Sequence, residues 1–256
     1  MRTLIFYTSY RQSWEIAVSG FLLSRHPRLR EMDVAFHCNN PKMSRRRLLF
    51  WCSAFRNPRM SLFLTDKNIG YIYGAFEAIA GCFNFLQEFD LVVHMHPDVF
   101  IVDPAPFLAL LDSIAADESR TDFYVSFMRD HVTPADTAFC FDFFAFRPSP
   151  AARAVFAGYA GEMAGKLNHP ERFLARMLQE TGLSKKIVPR AQWRGGHRKI
   201  DELGLWHEHS YRRVVKYFLT RNWVPKMGTK ARAWWHNDFY LKPEPLTKLP
   251  DAPSNV

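Results

Sequence analysis

Three polar residues with alternate spacing lie at and just beyond the end of an apolar stretch. His94, His96 and Asp98 stand at the end of the run Leu91–Met95, and Pro97 marks a tight turn. Alternate side chains of an extended backbone share one side, and the ligand crevice of an open α/β sheet lies beyond the carboxyl ends of its strands. The pattern indicates either a metal or pyrophosphate site or a simple strand-ending turn in which Asp98 bonds its own backbone.

Two more carboxylates stand out by their surroundings. Asp142 is the single acid in the apolar segment 137–146. Because a buried unpaired charge is costly, we expect Asp142 to face a cleft or to meet a partner such as an arginine. Glu171 follows Asn168 and Pro170 at the start of a predicted helix. The helix dipole alone explains an acidic residue at that position, so a structural role accounts for Glu171 well.

The segment 65–74 has the composition of a loop that opens a helix. Asn68 and Gly70 permit a positive φ and a close backbone approach, and the helix start behind them offers unpaired N–H groups to an anion. A plain loop leading into a capped helix explains the same residues, and taken alone it is the better explanation.

A basic loop and a second histidine pair follow in the C-terminal third. Gly195 and Gly196 in the loop 193–199 allow backbone N–H groups to turn toward a phosphate. His207 and His209 lack the spacing of a zinc-protease helix, so surface positions or hydrogen-bonded core positions explain them equally.

The elements that must position these residues alternate along the chain. Short apolar, β-prone runs separated by segments with helical spacing predict βαβ units and a mainly parallel sheet with right-handed crossovers. The predicted strands include Leu4–Ser9, Met32–Cys38, Ser61–Leu64 and Leu91–Met95, and the early predicted helices are Trp14–Leu23 and Met43–Phe55.

Composition restricts the class of protein. The 256 residues can bury a substantial core and carry a net charge of +9, which favours polyanionic ligands such as a nucleotide diphosphate, an anionic membrane surface or nucleic acid. No run approaches the length of a membrane span and no secretion signal is visible, so we expect a cytoplasmic protein. The four cysteines have no CxxC spacing, which argues against a structural zinc site.

The composition changes toward the C-terminus. We predict a catalytic domain over residues 1–200 and a basic, aromatic extension over residues 201–256 that packs on it. Basic and aromatic residues alternate over 211–235, which suits a lipid headgroup surface or stacked nucleic acid. The proline-containing end, 243–256, is expected to be extended.

Three segments in order resemble the GT-A nucleotide-sugar glycosyltransferases, particularly those of family 2. They are Asn68-Ile69-Gly70, then His96-Pro97-Asp98-Val99, then the apolar segment 143–147 followed by Glu171. The resemblance covers roughly residues 3–180. It implies a GT-A-like, Rossmann-like sheet flanked by helices and an enzyme that transfers a sugar from a nucleoside diphosphate.

The resemblance also implies a divalent metal, Mn²⁺ or Mg²⁺. Asp98 would hold the metal with assistance from His96, which occupies a position that is acidic in the family. Imidazole is more acceptable to Mn²⁺ than to Mg²⁺. In several GT-A enzymes a C-terminal histidine completes the coordination, and His207 or His209 could do the same here.

The remaining roles combine the resemblance with the residue patterns described above. Glu171 is the first candidate for the general base that takes the acceptor proton, and Asp142 is the second. The acceptor would be a glycan or a lipid-linked hydroxyl in polysaccharide synthesis, which would bring the enzyme to the inner membrane face. The residues expected to line the nucleotide are Tyr7, Thr8, Asn68 and Gly70, and those expected to close over the diphosphate are Arg194, His197 and Arg198.

Two other functions stay open. A nucleotidyltransferase shares the sheet, but it needs a basic glycine-rich loop after the first strand, and residues 7–13 contain no glycine. A binding module for membranes or nucleic acid, using residues 211–235, would act without Asp98 and would be strongly salt-dependent. Of its two ligands, nucleic acid is the less favoured.

Overall fold

The computed structural model describes residues 1–10, 13–40, 42–57, 59–65, 74–133, 136–162, 170–188 and 200–223. The chain divides into two compact units, Met1–His209 and Ser210–Val256. The strands are β1 (Thr3–Ser9), β2 (Asp33–Cys38), β3 (Met60–Leu64), β4 (Leu91–Met95), β5 (Val99–Ile101), β6 (Phe123–Val125), β7 (Phe127–Thr133), β8 (Asp136–Phe139), β9 (Phe143–Phe146), β10 (Lys185–Ile187) and β11 (Leu205–His207). The helices are α1 (Trp14–Ser24), α2 (Pro27–Arg30), α3 (Arg45–Cys52), α4 (Gly74–Gly81), α5 (Phe83–Leu86), α6 (Pro104–Ala115), α7 (Pro150–Glu162), α8 (Pro170–Glu180) and α9 (Tyr211–Trp223), with a 3₁₀ turn at Ser53–Phe55.

The first unit is built on a mixed, mostly parallel sheet. In the described part of the chain seven strands form it, in the order β10-β6-β9-β4-β1-β2-β3. Strand β9 pairs antiparallel with both of its neighbours, whereas the other pairs are parallel. The predicted α/β class with a mainly parallel sheet is therefore confirmed.

Helices cover both faces of this sheet, because alternate strand residues point to opposite sides. Ile5 and Val93 belong to one apolar cluster, which also takes residues from α1, α3 and α6. Leu4 and Val92 belong to the other, with residues from α4, α5, α7 and α8. Strands buried on both faces are nearly continuous apolar runs, as the sequence of β4 shows.

Several predicted elements are divided in the structure. The apolar segment 137–146 forms two strands, β8 and β9, with Asp142 between them. The helix predicted from residue 43 to residue 55 is α3 followed by the 3₁₀ turn, and Arg56 ends that turn with a positive φ of 46°. Strand β4 stops at Met95, so the extended backbone does not persist to Asp98.

Two small antiparallel pairs complete the first unit. Strand β7 pairs with β8, and β11 pairs with β5. Gly204 allows the turn before β11, because it has a positive φ of 71° and a Cβ there would collide with the carbonyl of Asp103. The N–H groups of Val102 and Asp103 donate to the carbonyl of Gly204, at 3.0 and 3.1 Å.

The second unit contains helix α9, the part of residues 210–256 that the structure describes. Its exposed residues include Tyr211, Arg212, Arg213 and Lys216, whereas Val214 and Tyr217 are buried. The proposed basic and aromatic segment 211–235 thus begins on a helix, and its part beyond residue 223 lies outside the described residues. No helix in the described ranges of either unit has the length and apolarity needed to cross a bilayer.

Candidate functional site at the carboxyl edge of the sheet

Asp98 lies in the turn between β4 and β5, at the carboxyl edge of the sheet. The Val99 N–H closes the turn by donating to the carbonyl of His96 at 3.1 Å. Helix α1 also contacts this turn, because the Ser19 hydroxyl donates to the Pro97 carbonyl at 2.9 Å. As a result the Asp98 side chain is only 4% exposed.

Pairing of β11 with β5 brings two histidines to Asp98. His207 is opposite Val99 in this pair, and the Glu208 N–H donates to the Asp98 carbonyl at 3.1 Å. The pairing therefore brings His207 and His209 together beside the carboxylate, with 4.6 Å between their ring centroids. Asp98 Oδ2 lies 2.8 Å from His209 Nδ1 and 3.8 Å from His207 Nε2.

Pairing of β9 with β4 places Asp142 beside His96. Met95 is opposite Phe143, and the His96 N–H donates to the Asp142 carbonyl at 3.0 Å. The Asp142 side chain then bridges two histidines, with Oδ1 3.1 Å from His96 Nδ1 and Oδ2 3.4 Å from His207 Nδ1. The partner expected for Asp142 is thus a pair of histidines rather than an arginine.

The charges in this cluster stabilise one another. Burial opposes ionisation of Asp98, but the neighbouring imidazoles of His207 and His209 outweigh it and hold the pKa of Asp98 below its ordinary value. The hydrogen bond to Asp98 raises the pKa of His209. Burial acts against protonation of His96, yet the hydrogen bond and charge of Asp142 raise its pKa overall.

The donor set around Asp98 fits a divalent transition metal. One ligand atom each from Asp98, His207 and His209 lie within 4.8 Å of one another. Asp98 Oδ1 is buried and has no hydrogen-bond partner among the described residues, which leaves a carboxylate oxygen for a cation. Two imidazoles and one carboxylate suit Mn²⁺ or its transition-metal neighbours better than Mg²⁺, which prefers oxygen ligands. His96 is directed to Asp142 and is not part of this group.

A cleft opens at the same edge of the sheet. His96 forms one part of its wall, and Thr8, at the end of β1, forms another while its hydroxyl bonds His94 Nε2 at 2.9 Å. About 390 Å³ of space lies within the cleft, including the part open to solvent. It is lined by Thr8, Ser9, Tyr10, His37, Asn39, Gly74, Ala75 and His96.

Several cleft residues were not among the sequence-based candidates, and two of them have buried polar side chains without partners. His37 and Asn39 at the end of β2 are buried, and His37 Nδ1 and Asn39 Oδ1 have no hydrogen-bond partner among the described residues. Burial lowers the pKa of His37 to about 4, so the imidazole is neutral near pH 7. The absence of a side chain at Gly74 makes room for Asn39, because a Cβ at position 74 would collide with the Asn39 amide nitrogen. The sequence signal for His37 and Asn39 was their position at the end of a predicted strand and directly after it, where an open α/β sheet binds its ligands.

Glu15, in the first turn of α1, is a further missed residue. It is 9% exposed, and its Oε2 has no hydrogen-bond partner in the described part of the chain. Burial raises the pKa of Glu15 to about 7, and the negative charge of Asp98 adds to this effect. The signal for Glu15 was its helical spacing with the buried residues Ile16 and Ser19, which puts a carboxylate on the buried face of the helix.

The raised pKa of Glu15 should make the free energy of unfolding of the metal-depleted protein depend on pH. Because its pKa rises from 4.5 to about 7 on folding, its contribution is greatest below pH 4.5 and is lost as the pH rises through about 7. The loss is at most about 3 kcal/mol in the free energy of unfolding. Urea unfolding in chelator between pH 5 and 8 should therefore show a weaker pH dependence for Glu15→Gln than for the wild type.

The exposed Glu118 supplies a matched control for this measurement. Glu118→Gln should keep the wild-type slope. His96 and His209 are present in all three proteins, so the difference between the profiles reports Glu15 together with its charge interaction with His209. Equal slopes for the wild type and Glu15→Gln would contradict the burial of an uncharged carboxyl at this position.

The structure places the other candidates as follows. Glu171, in the first turn of α8, is half-buried, and its charge contributes to the raised pKa of His96.

Tyr7 does not line the cleft: it is 1% exposed and its ring stacks on Phe36 at 4.7 Å between centroids. Tyr7 belongs to the core because it points to the side of β1 opposite Thr8. The candidates that lie outside the described residues are Asn68, Gly70, Arg194, His197 and Arg198.

Fold and site together define an α/β protein with an aspartate and histidine cluster at the carboxyl edge of its sheet, beside a polar cleft. The sequence matches no protein-family profile and no curated protein. Solved structures do match. A cytidylyltransferase from Leptospira borgpetersenii serovar Hardjo-bovis (strain JB197) has a TM-score of 0.54 at 10% identity, over 93% of this chain and 94% of that chain. This likeness shows a shared fold.

Two further structures are similar at lower scores. A protein described as a nucleotide-diphospho-sugar transferase from Desulfovibrio desulfuricans G20 has a TM-score of 0.49 at 12% identity, over 93% of this chain and 95% of that chain. The bifunctional glycosyltransferase WbbM in its apo form has a TM-score of 0.46 at 11% identity, over 77% of this chain. The match spans 39% of the length of WbbM.

Proposed function

We propose that this protein is a glycosyltransferase that moves a sugar from a nucleoside diphosphate to a hydroxyl of a glycan or lipid-linked acceptor. The observation that carries the proposal is the Asp98–His207–His209 group at the carboxyl edge of the sheet, adjoining a polar cleft through His96. An open α/β sheet binds its ligands at this edge, and a departing diphosphate needs a positive group beside it.

The cleft is our proposed site for the nucleoside. His37 and Asn39 offer buried polar atoms, and Thr8 and Ser9 offer hydroxyl groups, to a ligand that carries complementary donors and acceptors. Leaving such buried atoms unpaired is costly, so a ligand that pairs them gains affinity and specificity. The diphosphate would then extend from the cleft past His96 toward Asp98.

Asp98, His207 and His209 would hold a Mn²⁺ ion at the diphosphate. When bound, this ion supplies the positive charge that stabilises the departing nucleoside diphosphate. The residues of the chain position the rest of the site. Asp142 orients the imidazoles of His96 and His207, and the neighbouring imidazoles of His207 and His209 keep Asp98 ionised.

Glu171 is our proposed general base. It would take the proton of the acceptor hydroxyl in an inverting transfer. Both carboxylate oxygens of Asp142 already lie beside imidazoles, which makes Asp142 a positioning residue and a weaker candidate for the base. Asn68 and Gly70 at the nucleotide, and Arg194, His197 and Arg198 at the diphosphate, remain proposals for residues outside the described part of the chain.

A nucleotidyltransferase is the second candidate, and the fold shared with the cytidylyltransferase favours it. In such an enzyme a phosphate oxygen of the acceptor, such as a sugar phosphate, attacks the α-phosphorus of a nucleoside triphosphate, and pyrophosphate leaves instead of a nucleoside diphosphate. Residues 7–13, at and after the end of β1, include no glycine, whereas such an enzyme needs a glycine-rich loop there to wrap the triphosphate. We therefore place glycosyl transfer first.

A panel of nucleotide sugars tests the proposal. Purified protein is incubated with UDP-, GDP-, ADP- and CMP-sugars in Mn²⁺, Mg²⁺ or chelator, and nucleotide release is measured with and without glycan acceptors. We expect at least one donor to be turned over, fastest with Mn²⁺ and not in chelator. Pyrophosphate release from a nucleoside triphosphate and a sugar phosphate, with every nucleotide sugar inert, would establish the second candidate instead.

A further inference from the structure

Helix α3 carries an exposed face that the proposed transfer reaction does not use. The helix buries Leu48 and Cys52 in the core, both at 0% exposure. Its remaining residues, apart from the half-buried Trp51, point outward. Phe50 is 69% exposed and Leu49 is 45% exposed, which places Phe50 among the most exposed large apolar side chains that the structure describes. We call Arg45, Arg46, Arg47, Leu49 and Phe50 the α3 face.

Basic and apolar side chains alternate around the α3 face. With about 100° per residue, the order around the helix is Arg45, Leu49, Arg46, Phe50, Arg47. None of these arginines has an ion-pair partner among the described residues, and all three are exposed. The surrounding segment, residues 34–65, has six Lys and Arg residues and no Asp or Glu. The α3 face is therefore cationic, and no acidic residue in the surrounding segment neutralises its charge.

Helix stability does not explain these arginines. They occupy the first turn of α3, which begins after the N-cap Ser44 and contains no acidic residue. Positive charges at a helix N-terminus oppose the helix dipole, so the arginines weaken the helix that they belong to. Their arrangement suits an external anionic partner better than it suits the isolated fold.

We propose that the α3 face docks on an anionic phospholipid bilayer. Arginines paired with headgroups, and Leu49 and Phe50 inserted at the acyl boundary, are the contacts by which an amphipathic helix binds in the plane of a membrane. The exposed leucine beside the phenylalanine distinguishes this surface from a nucleic-acid platform, in which stacking on aromatic rings supplies the apolar contact.

The position of α3 connects docking to the proposed function. Asn39 lines the cleft, and α3 begins at Arg45 on the same loop, so its basic first turn lies at the carboxyl edge of the sheet. Docking through this turn would direct that edge toward the bilayer. The inference extends the proposed transfer to a lipid-linked acceptor, but vesicle binding itself requires no turnover.

Sedimentation with vesicles tests the docking. We expect the full-length protein to bind vesicles that contain phosphatidylglycerol and not vesicles of phosphatidylcholine alone. Arg45→Gln/Arg46→Gln/Arg47→Gln should lower the partition coefficient by about a hundredfold, since each basic residue at the surface contributes about fivefold. Leu49→Ser/Phe50→Ser should lower it by at least about tenfold, since burial of either side chain alone corresponds to a change of that size.

Exposed residues outside the α3 face provide the controls. Ile187→Ser removes an apolar side chain that is 44% exposed, and Arg30→Gln removes an exposed arginine. Both should bind vesicles like the wild type, and so should Asp98→Asn, which keeps this test independent of catalysis. Thermal unfolding establishes that each variant is folded.

Three results would overturn the proposal. The first is equal binding to neutral and anionic vesicles. The second is wild-type vesicle binding by the triple arginine variant, which would place the membrane contact elsewhere. The third is salt-sensitive binding of single-stranded RNA, lost in the triple variant, without any vesicle binding; that outcome would assign the α3 face to nucleic acid.

Discussion

Asp98→Asn is expected to lower kcat/KM for the nucleotide sugar by about a thousandfold. The substitution keeps the shape of the side chain but removes the buried negative charge that His207 and His209 surround. Loss of one electrostatic group at a reacting centre costs about 10²–10³ in rate, and a weakened metal site adds to that loss. Steady-state kinetics with the donor identified in the panel, at several Mn²⁺ concentrations, measures both effects.

Asp112→Asn is the matched control for this substitution. Asp112, on α6, forms an exposed ion pair with Arg28 of α2, and such surface pairs contribute little to stability. We expect its kcat/KM to equal that of the wild type. If Asp98→Asn retained full activity and an unchanged response to Mn²⁺ while remaining folded, the proposed metal site and the function built on it would both be wrong.

Glu171→Gln is expected to lower kcat by about 10²–10⁴ while the KM for the donor changes little. A general base acts in the chemical step, so its removal affects the transition state and leaves donor binding intact. The pH profile of the wild type should show an acidic limb that is absent from the residual activity of the variant. Initial rates with saturating donor and acceptor across pH 5–9 provide this comparison.

The substitution Asp142→Asn tests whether Asp142 or Glu171 is the general base. Because Asp142 orients His96 and His207, its loss should raise the Mn²⁺ concentration needed for half-maximal rate, by about 10–100-fold. Excess Mn²⁺ should then restore much of the activity. A large, metal-independent fall in kcat for Asp142→Asn, with Glu171→Gln near normal, would transfer the role of base to Asp142.

The central sheet could be predicted well because its signals are local. Runs such as Leu91–Met95 are apolar and bounded by turn residues, so β4 was found at its observed limits. The alternation of strands and helices then implied parallel pairing. The strands that were not predicted include β5, β10 and β11, each of which has only three residues and depends on a partner strand that is distant in sequence.

The histidines show where sequence spacing misleads. Alternate positions suggested that His94, His96 and Asp98 would share one side, but β4 ends at Met95 and the three side chains take different partners. The rings of His94 and His96 stay in edge contact, at 5.4 Å between centroids. His94 is buried and bonds Thr8 inside the protein, where burial holds its pKa well below the ordinary value. His96 turns to Asp142, and Asp98 turns to the histidines of a later strand.

The sequence by itself determined the α/β class, the strand that ends at Asp98 and the candidacy of Asp98, Asp142, His207 and His209. Periodicity, turn residues and the cost of burying charge act locally, so they are readable along the chain. Only the tertiary structure decided which of these residues meet. The β5–β11 and β4–β9 pairings join positions that are far apart in sequence, and backbone hydrogen bonds set their register. That register brings the imidazoles to Asp98 and Asp142, and packing of α1 on the same turn brings a buried Glu15 to their side.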